Sequence, residues 1–112
     1  MAYDVVLAER IARLLKGRRR VEQKRMFGGV CFLVNGNMCC GVDKNKLMVR
    51  VGPERYESAL RTPHAKPMDI TGRPLRGFVF VRPQGLRGQK ALEAWVDLGV
   101  RYAESLPAKR KR

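Results

Sequence analysis

The stretch Met26-Phe27-Gly28-Gly29-Val30-Cys31-Phe32-Leu33-Val34-Asn35-Gly36-Asn37-Met38-Cys39-Cys40-Gly41-Val42 decides how the rest of the chain is read. Asn35-Gly36 sits between two apolar runs, the strongest local signal for a β-hairpin. Both loop residues of a type I′ turn take positive φ, which asparagine and glycine tolerate best. A two-residue loop also sets the register. It predicts Val34 opposite Asn37, Leu33 opposite Met38, Phe32 opposite Cys39 and Cys31 opposite Cys40. On the first strand Val30, Phe32 and Val34 share one face, and Cys31 and Leu33 share the other. Apolar residues on both faces leave two readings open: a strand covered on both sides, or a face shared between two copies of the chain.

Upstream, Asp4 to Lys16 reads as an amphipathic helix. Leu7, Ile11, Leu14 and Leu15 fall on one face, Asp4 can cap the start, and Gly17 can end it. Arg18 to Arg25 is read as a basic connection to the hairpin. Downstream, a turn at Asp43-Lys44-Asn45 leads to a strand at Leu47–Val51. Gly52 and Pro53 then fit the N-cap and first position of a short helix that turns Tyr56, Ala59 and Leu60 inward and stops at Pro63. Strands at Pro67–Ile70 and Gly77–Val81 follow, joined by Thr71-Gly72-Arg73-Pro74. A final helix from Gln89 to Leu106 lines Leu92, Trp95, Val96, Gly99, Tyr102 and Ala103 on one face, with Gly99 allowing close backbone approach. The order α-β-β-β-α-β-β-α has no βαβ alternation. It predicts an α+β fold of two layers, a mostly antiparallel five-stranded sheet with helices packed against it.

A chain of 112 residues fits one domain, taken as residues 1–106 with a basic, disordered tail at 107–112. Hydrophobic residues at 45% and charged residues at 30% describe a globular protein. The longest apolar runs are too short to cross a bilayer, so no membrane partner is expected. The N-terminus has no basic region ahead of an apolar one, which excludes a secretory signal. Three clustered cysteines, an odd number, point to thiols in a reducing cytoplasm.

Charge is the strongest compositional signal. A net charge of +14 and a pI near 10.7 favour contact with polyanions. The candidate nucleic-acid-binding side chains are Arg10, Arg13, Arg18, Arg19, Arg20, Lys24 and Arg25, together with Lys109, Arg110, Lys111 and Arg112 of the tail. No helix-turn-helix, zinc-finger or RNA-recognition motif accompanies them, so such binding would rest on phosphate contacts. Phe27, Phe32, Phe78, Phe80 and Trp95 read as core rather than as platforms for single-stranded bases. The competing reading of the same charge is a solvated surface with no specific partner.

The chemistry-bearing residues form no catalytic constellation. Alternation along a strand sends Cys39 and Cys40 to opposite sides, so the two cannot join Cys31 and His64 around one metal. With no Cys-x-x-Cys unit, neither metal nor cofactor is expected. The predicted register pairs Cys31 with Cys40 on one face at a Cα separation of about 4.5 Å, near the short limit for a disulfide. That pair is a candidate redox switch, set against two buried thiols that fill space. Gly28-Gly29 precedes a strand rather than a helix, which suits a tight turn into the sheet better than a phosphate loop. His64 lacks any nucleophile motif near it. The loop carrying His64, Lys66, Asp69, Arg73 and Arg76 is a candidate ligand groove.

Several segments together resemble the TfoX N-terminal domain family, also called the TfoX/Sxy family. They are Met26-Phe27-Gly28-Gly29 ahead of the hairpin, Asn35-Gly36-Asn37-Met38, Leu47-Met48-Val49-Arg50-Val51, the run from Pro63 to Pro74, and the helix carrying Leu92 and Trp95. The resemblance runs from about Arg25 to Leu106. It implies a small α/β domain of secretion-chaperone-like shape that acts without catalysis as a regulatory or interaction module. The best-known members regulate DNA-uptake competence together with transcription factors. A protein partner is therefore expected, with the chain a monomer or homodimer in the cytoplasm. The alternative is a basic nucleic-acid-binding protein acting mainly through phosphate contacts.

Overall fold

In the computed structural model, which describes residues 3–18, 20–26, 28–69 and 72–108, three α-helices and six strands follow one another along the chain. Helix α1 (Val5–Leu15) precedes strands β1 (Val21–Met26), β2 (Gly29–Val34), β3 (Asn37–Asp43) and β4 (Lys46–Arg50). Helix α2 (Tyr56–Leu60) comes next, then β5 (Ala65–Asp69), β6 (Pro74–Val81), a short 3-10 turn at Pro83–Gly85, and helix α3 (Gln89–Ser105). The strands form one sheet in the order β1-β2-β3-β4-β6-β5, every neighbouring pair antiparallel.

The sheet has six strands where the sequence suggests five. The additional strand is the segment expected to be a basic connection, Val-Glu-Gln-Lys-Arg-Met. It lies at the edge of the sheet and pairs only with β2. Four of its six residues are exposed, so it carries no apolar alternation to betray it. Arg20, just before it, takes φ +59, and its carbonyl accepts the Asn35 N–H at 3.0 Å, which ties the start of β1 to the β2–β3 turn.

Helix α1 starts as expected, with the Asp4 carboxylate accepting the Leu7 N–H at 3.0 Å, and gives way to Gly17 at φ +90. The start of α2 departs from expectation. Gly52 and Pro53 do not cap it; the helix begins at Tyr56, after a turn, with Arg55 in the cap position. Gly52 is needed elsewhere. Its N–H donates to the Gly77 carbonyl at 3.1 Å, and at φ +89 a Cβ there would stand 2.5 Å from the Tyr102 ring.

All three helices cover the same face of the sheet. Leu7, Ile11 and Leu15 of α1, Tyr56 and Ala59 of α2, and Leu92, Trp95, Val96 and Val100 of α3 share one core with Phe32, Val42, Leu47, Val49 and Val79. Tyr102, expected inward, is half-buried at its edge. Gly99 brings α3 close against β3: a Cβ there would lie 2.4 Å from the Cys39 carbonyl oxygen. Asn37, at the start of β3, is the buried polar side chain of this core. Its amide donates to the carbonyls of Ala103 at 3.4 Å and Pro107 at 3.0 Å, which ties the hairpin to the C-terminal end of α3.

Candidate interaction surface

The β2–β3 hairpin begins in the expected register, Val34 opposite Asn37 and Leu33 opposite Met38. It then slips. Phe32 pairs with Cys40 and Cys31 with Gly41, so Cys39 is the extra residue of a β-bulge. The slip corrects two expectations. Cys39 and Cys40 do not face opposite sides, because both belong to the helix-covered core. Cys31 and Cys40 do not share a face, because Cys31 lies in a different cluster on the other side of the sheet. All three thiols are free and buried. The Cys39 thiol reaches the Val96 carbonyl at 4.0 Å. Its hydrogen bond with Cys40, aided by burial and by the charges of Cys39 and Cys31, holds the Cys40 thiol well above the usual range. Burial alone raises Cys31. Both are thereby kept neutral and poorly nucleophilic.

The expected ligand loop is instead the β5–β6 hairpin at the other edge of the sheet. His64 precedes it at φ +71, exposed, with its carbonyl accepting the Arg82 N–H at 3.0 Å. Asp69 is occupied by the turn, its carboxylate accepting the Gly72 N–H at 2.7 Å. Lys66 lies opposite Phe80, while Arg73 and Arg76 are exposed around the turn. These five side chains are strung along a ribbon rather than gathered around a cavity. The clefts form elsewhere, one of about 550 Å³ between α1 and α3 and one of about 430 Å³ beside Tyr102 and Arg101. Among the described residues, no group of three or more His, Cys, Asp and Glu side chains could hold a metal ion.

The candidate nucleic-acid contacts are spread over the molecule. Arg10 reaches Gln89 at 3.4 Å, and Arg18 pairs with Glu104 at 3.8 Å, both on the helical side. Arg13 and Arg20 are exposed. Lys24 lies opposite Cys31 and Arg25 opposite Val30, so alternation turns them to opposite faces of β1. Arg19, Lys109, Arg110, Lys111 and Arg112 lie outside the described residues.

The sheet carries a second apolar surface on the face without helices. Cys31, Met48, Met68 and Phe80 form a buried cluster, with Leu33, Met38 and Phe78 partly buried around it. No residue of α1, α2 or α3 belongs to it. Basic side chains of the sheet itself lie over its two rings. Lys46 Nζ stands 5.0 Å from the centre of the Phe80 ring, and Arg50 Cζ stands 5.5 Å from Phe78 and 5.3 Å from Tyr102. Gly41 lies at its centre, and a Cβ there would meet Met48 Cε at 2.8 Å, so the thioether occupies the space a side chain would take. Phe78 and Phe80, expected in a common core with Phe32 and Trp95, belong to this second surface; Phe27 lies outside the described residues.

In a sequence comparison, the profile of the TfoX N-terminal domain matches residues 13–103. The chain belongs to the TfoX N-terminal domain family. The match extends from within α1 to near the end of α3 and takes in the whole sheet. Searches of curated proteins and of solved structures each return no match. Within this TfoX N-terminal domain, alternation along β4 is the signal that could have located the second surface. Lys46, Met48 and Arg50 fall on one side and Leu47 and Val49 on the other, both sides apolar at the centre.

Proposed function

We propose that this TfoX N-terminal domain is a non-catalytic regulatory module that works in the cytoplasm by binding a protein partner, linked to control of transcription or competence. The observation that carries this reading is the second apolar cluster, on a sheet face to which no helix contributes. Its centre is buried, and its partly exposed margin of Leu33, Met38 and Phe78, rimmed by charge, is the part a partner can touch. Cys31 and Cys40 add support, since their raised pKa values keep these two thiols from acting as nucleophiles at neutral pH.

The test is affinity capture of the full chain from cells that express it, with quantitative mass spectrometry before and after nuclease treatment. A protein retained in constant ratio after nuclease supports the module. Recovery that depends on intact nucleic acid would overturn it in favour of direct nucleic-acid binding. That second reading is favoured by one observation, the exposed cations Arg13, Arg20, Lys24 and Arg25 on a chain of net charge +14.

A further inference from the structure

The helix-free face combines a flexible apolar centre with a basic rim, and this combination restricts what can sit on it. Met38, Met48 and Met68 are unbranched thioethers that adapt to irregular neighbours, and with Cys31 and Leu33 they make up most of the centre. Lys24 lies opposite Cys31 and Lys66 opposite Phe80, while Lys46 and Arg50 lie over the two phenylalanine rings. The carboxylates that the register places on the same face are Glu22, opposite Leu33, and Asp43, opposite Lys46. The four cations therefore outnumber the carboxylates.

We propose that this face docks an acidic, amphipathic segment of another protein, its apolar side chains seated on the methionines and its carboxylates on the lysine and arginine rim. This rests on the interaction-module reading and names the partner's chemistry. A second copy of the chain would bring the same basic rim against itself, at a net charge of +14 per molecule. Single-stranded nucleic acid needs open ring faces on which to stack, whereas Phe80 is 6% exposed under Lys46; Met48 and Met68, at 4% and 2%, are covered as well, so an occupant must first draw the cations aside. An acidic segment matches both features at once. Its carboxylates draw Lys46 and Arg50 off the rings to pair with them, and its apolar residues take the uncovered places.

The experiment uses the full chain with carbon-13 in its methionine methyl groups. Four probes are titrated: a peptide alternating Leu and Phe with Glu, the same peptide with Lys for Glu, the same with Ser for its apolar residues, and oligo(dT). The expected result is binding of the first peptide, with the Met38, Met48 and Met68 methyl signals shifting together. The Lys and Ser versions should bind at least about tenfold more weakly, and the variant Lys46→Glu, Lys66→Glu should lose a similar factor while its circular dichroism shows it folded at the titration temperature. Equal binding of the Ser version would reduce the effect to charge and overturn the proposal. Peptide binding that leaves the three methyls unmoved would overturn the site while the interaction-module reading stands. Oligo(dT) shifting these methyls while no peptide binds would overturn both, and binding of none of the four would overturn the proposed partner chemistry.

Discussion

A Cβ at position 99 would stand 2.4 Å from the Cys39 carbonyl oxygen and 3.1 Å from the Cys39 sulfur. Alanine gains about 1 kcal/mol over glycine in helix propensity, but crowding a packed contact costs about 1–3 kcal/mol. The obstacle here is a strand carbonyl, which cannot turn aside as a flexible side chain can. Gly99→Ala is therefore expected to be a net loss, read as a lower urea midpoint with unchanged slope. The thiols make a second residue-level prediction. Folding raises Cys40 and Cys31, so the unfolded chain releases its thiol protons at lower pH than the folded one. The stabilisation is complete below the ordinary thiol range and is lost as pH rises through it toward the raised folded values. Urea midpoints should fall between about pH 7.5 and pH 9.5, and fall less in Cys40→Ala, whose lower starting stability is a separate packing effect. Equal falls in the two proteins would show that other groups set the alkaline limit.

At the scale of elements, the hairpin turn was legible because Asn35-Gly36 is a local requirement of the backbone, and φ is +55 and +80 at those positions. The bulge three residues on was not legible, because it answers to a distant demand. Cys39 must lie toward α3 where Gly99 approaches, and turn chemistry carries no record of that contact. The face of α3 was readable from periodicity for the same reason that β1 was not: α3 buries a continuous stripe, whereas β1 is an exposed edge held by backbone pairing. The Cys31–Cys40 pair failed with the register, since a slip of one residue reverses the face of everything beyond it. Asn37 was read as the strand residue opposite Val34, yet it also joins two elements through its bonds to Ala103 and Pro107. Asn37→Ala should cost about 1–3 kcal/mol, because it removes a buried donor to both carbonyls and leaves Ala103 with only the Leu106 N–H. Asn37→Asp should cost more, because a carboxylate would face them. Denaturation of both variants checks the order, and hydrogen exchange should rise first in the last turn of α3.

At the scale of the whole molecule, total charge was plain from composition, but its placement depends on the fold. Cations stand on the helical side at Arg10 and Arg18, on the open sheet face at Lys24, Lys46 and Lys66, and around the β5–β6 turn at Arg73 and Arg76. Lys24 and Arg25 turn to opposite faces of β1, so a straight duplex lying on one face leaves the cations of the other unused. If about four phosphates are engaged, log affinity falls against log salt with a slope of about −3.6, a loss of about 100-fold between about 50 and 200 mM. Removing the four cations of Lys109 to Arg112 lowers the net charge from +14 to +10, and the slope should become shallower by about 0.9 for each phosphate no longer neutralised. Fluorescence anisotropy with labelled duplex DNA, single-stranded DNA and RNA across a salt series measures both quantities. The expected outcome is weak binding without preference among the three, nearly gone at physiological salt and weaker still in a chain ending at Pro107. Affinity that survives both salt and truncation, with one nucleic acid preferred, would require a built phosphate-reading surface and would displace the protein-partner reading. Weak, indifferent binding is what dispersed charge produces, and it leaves the apolar face of the sheet as the feature that can supply specificity.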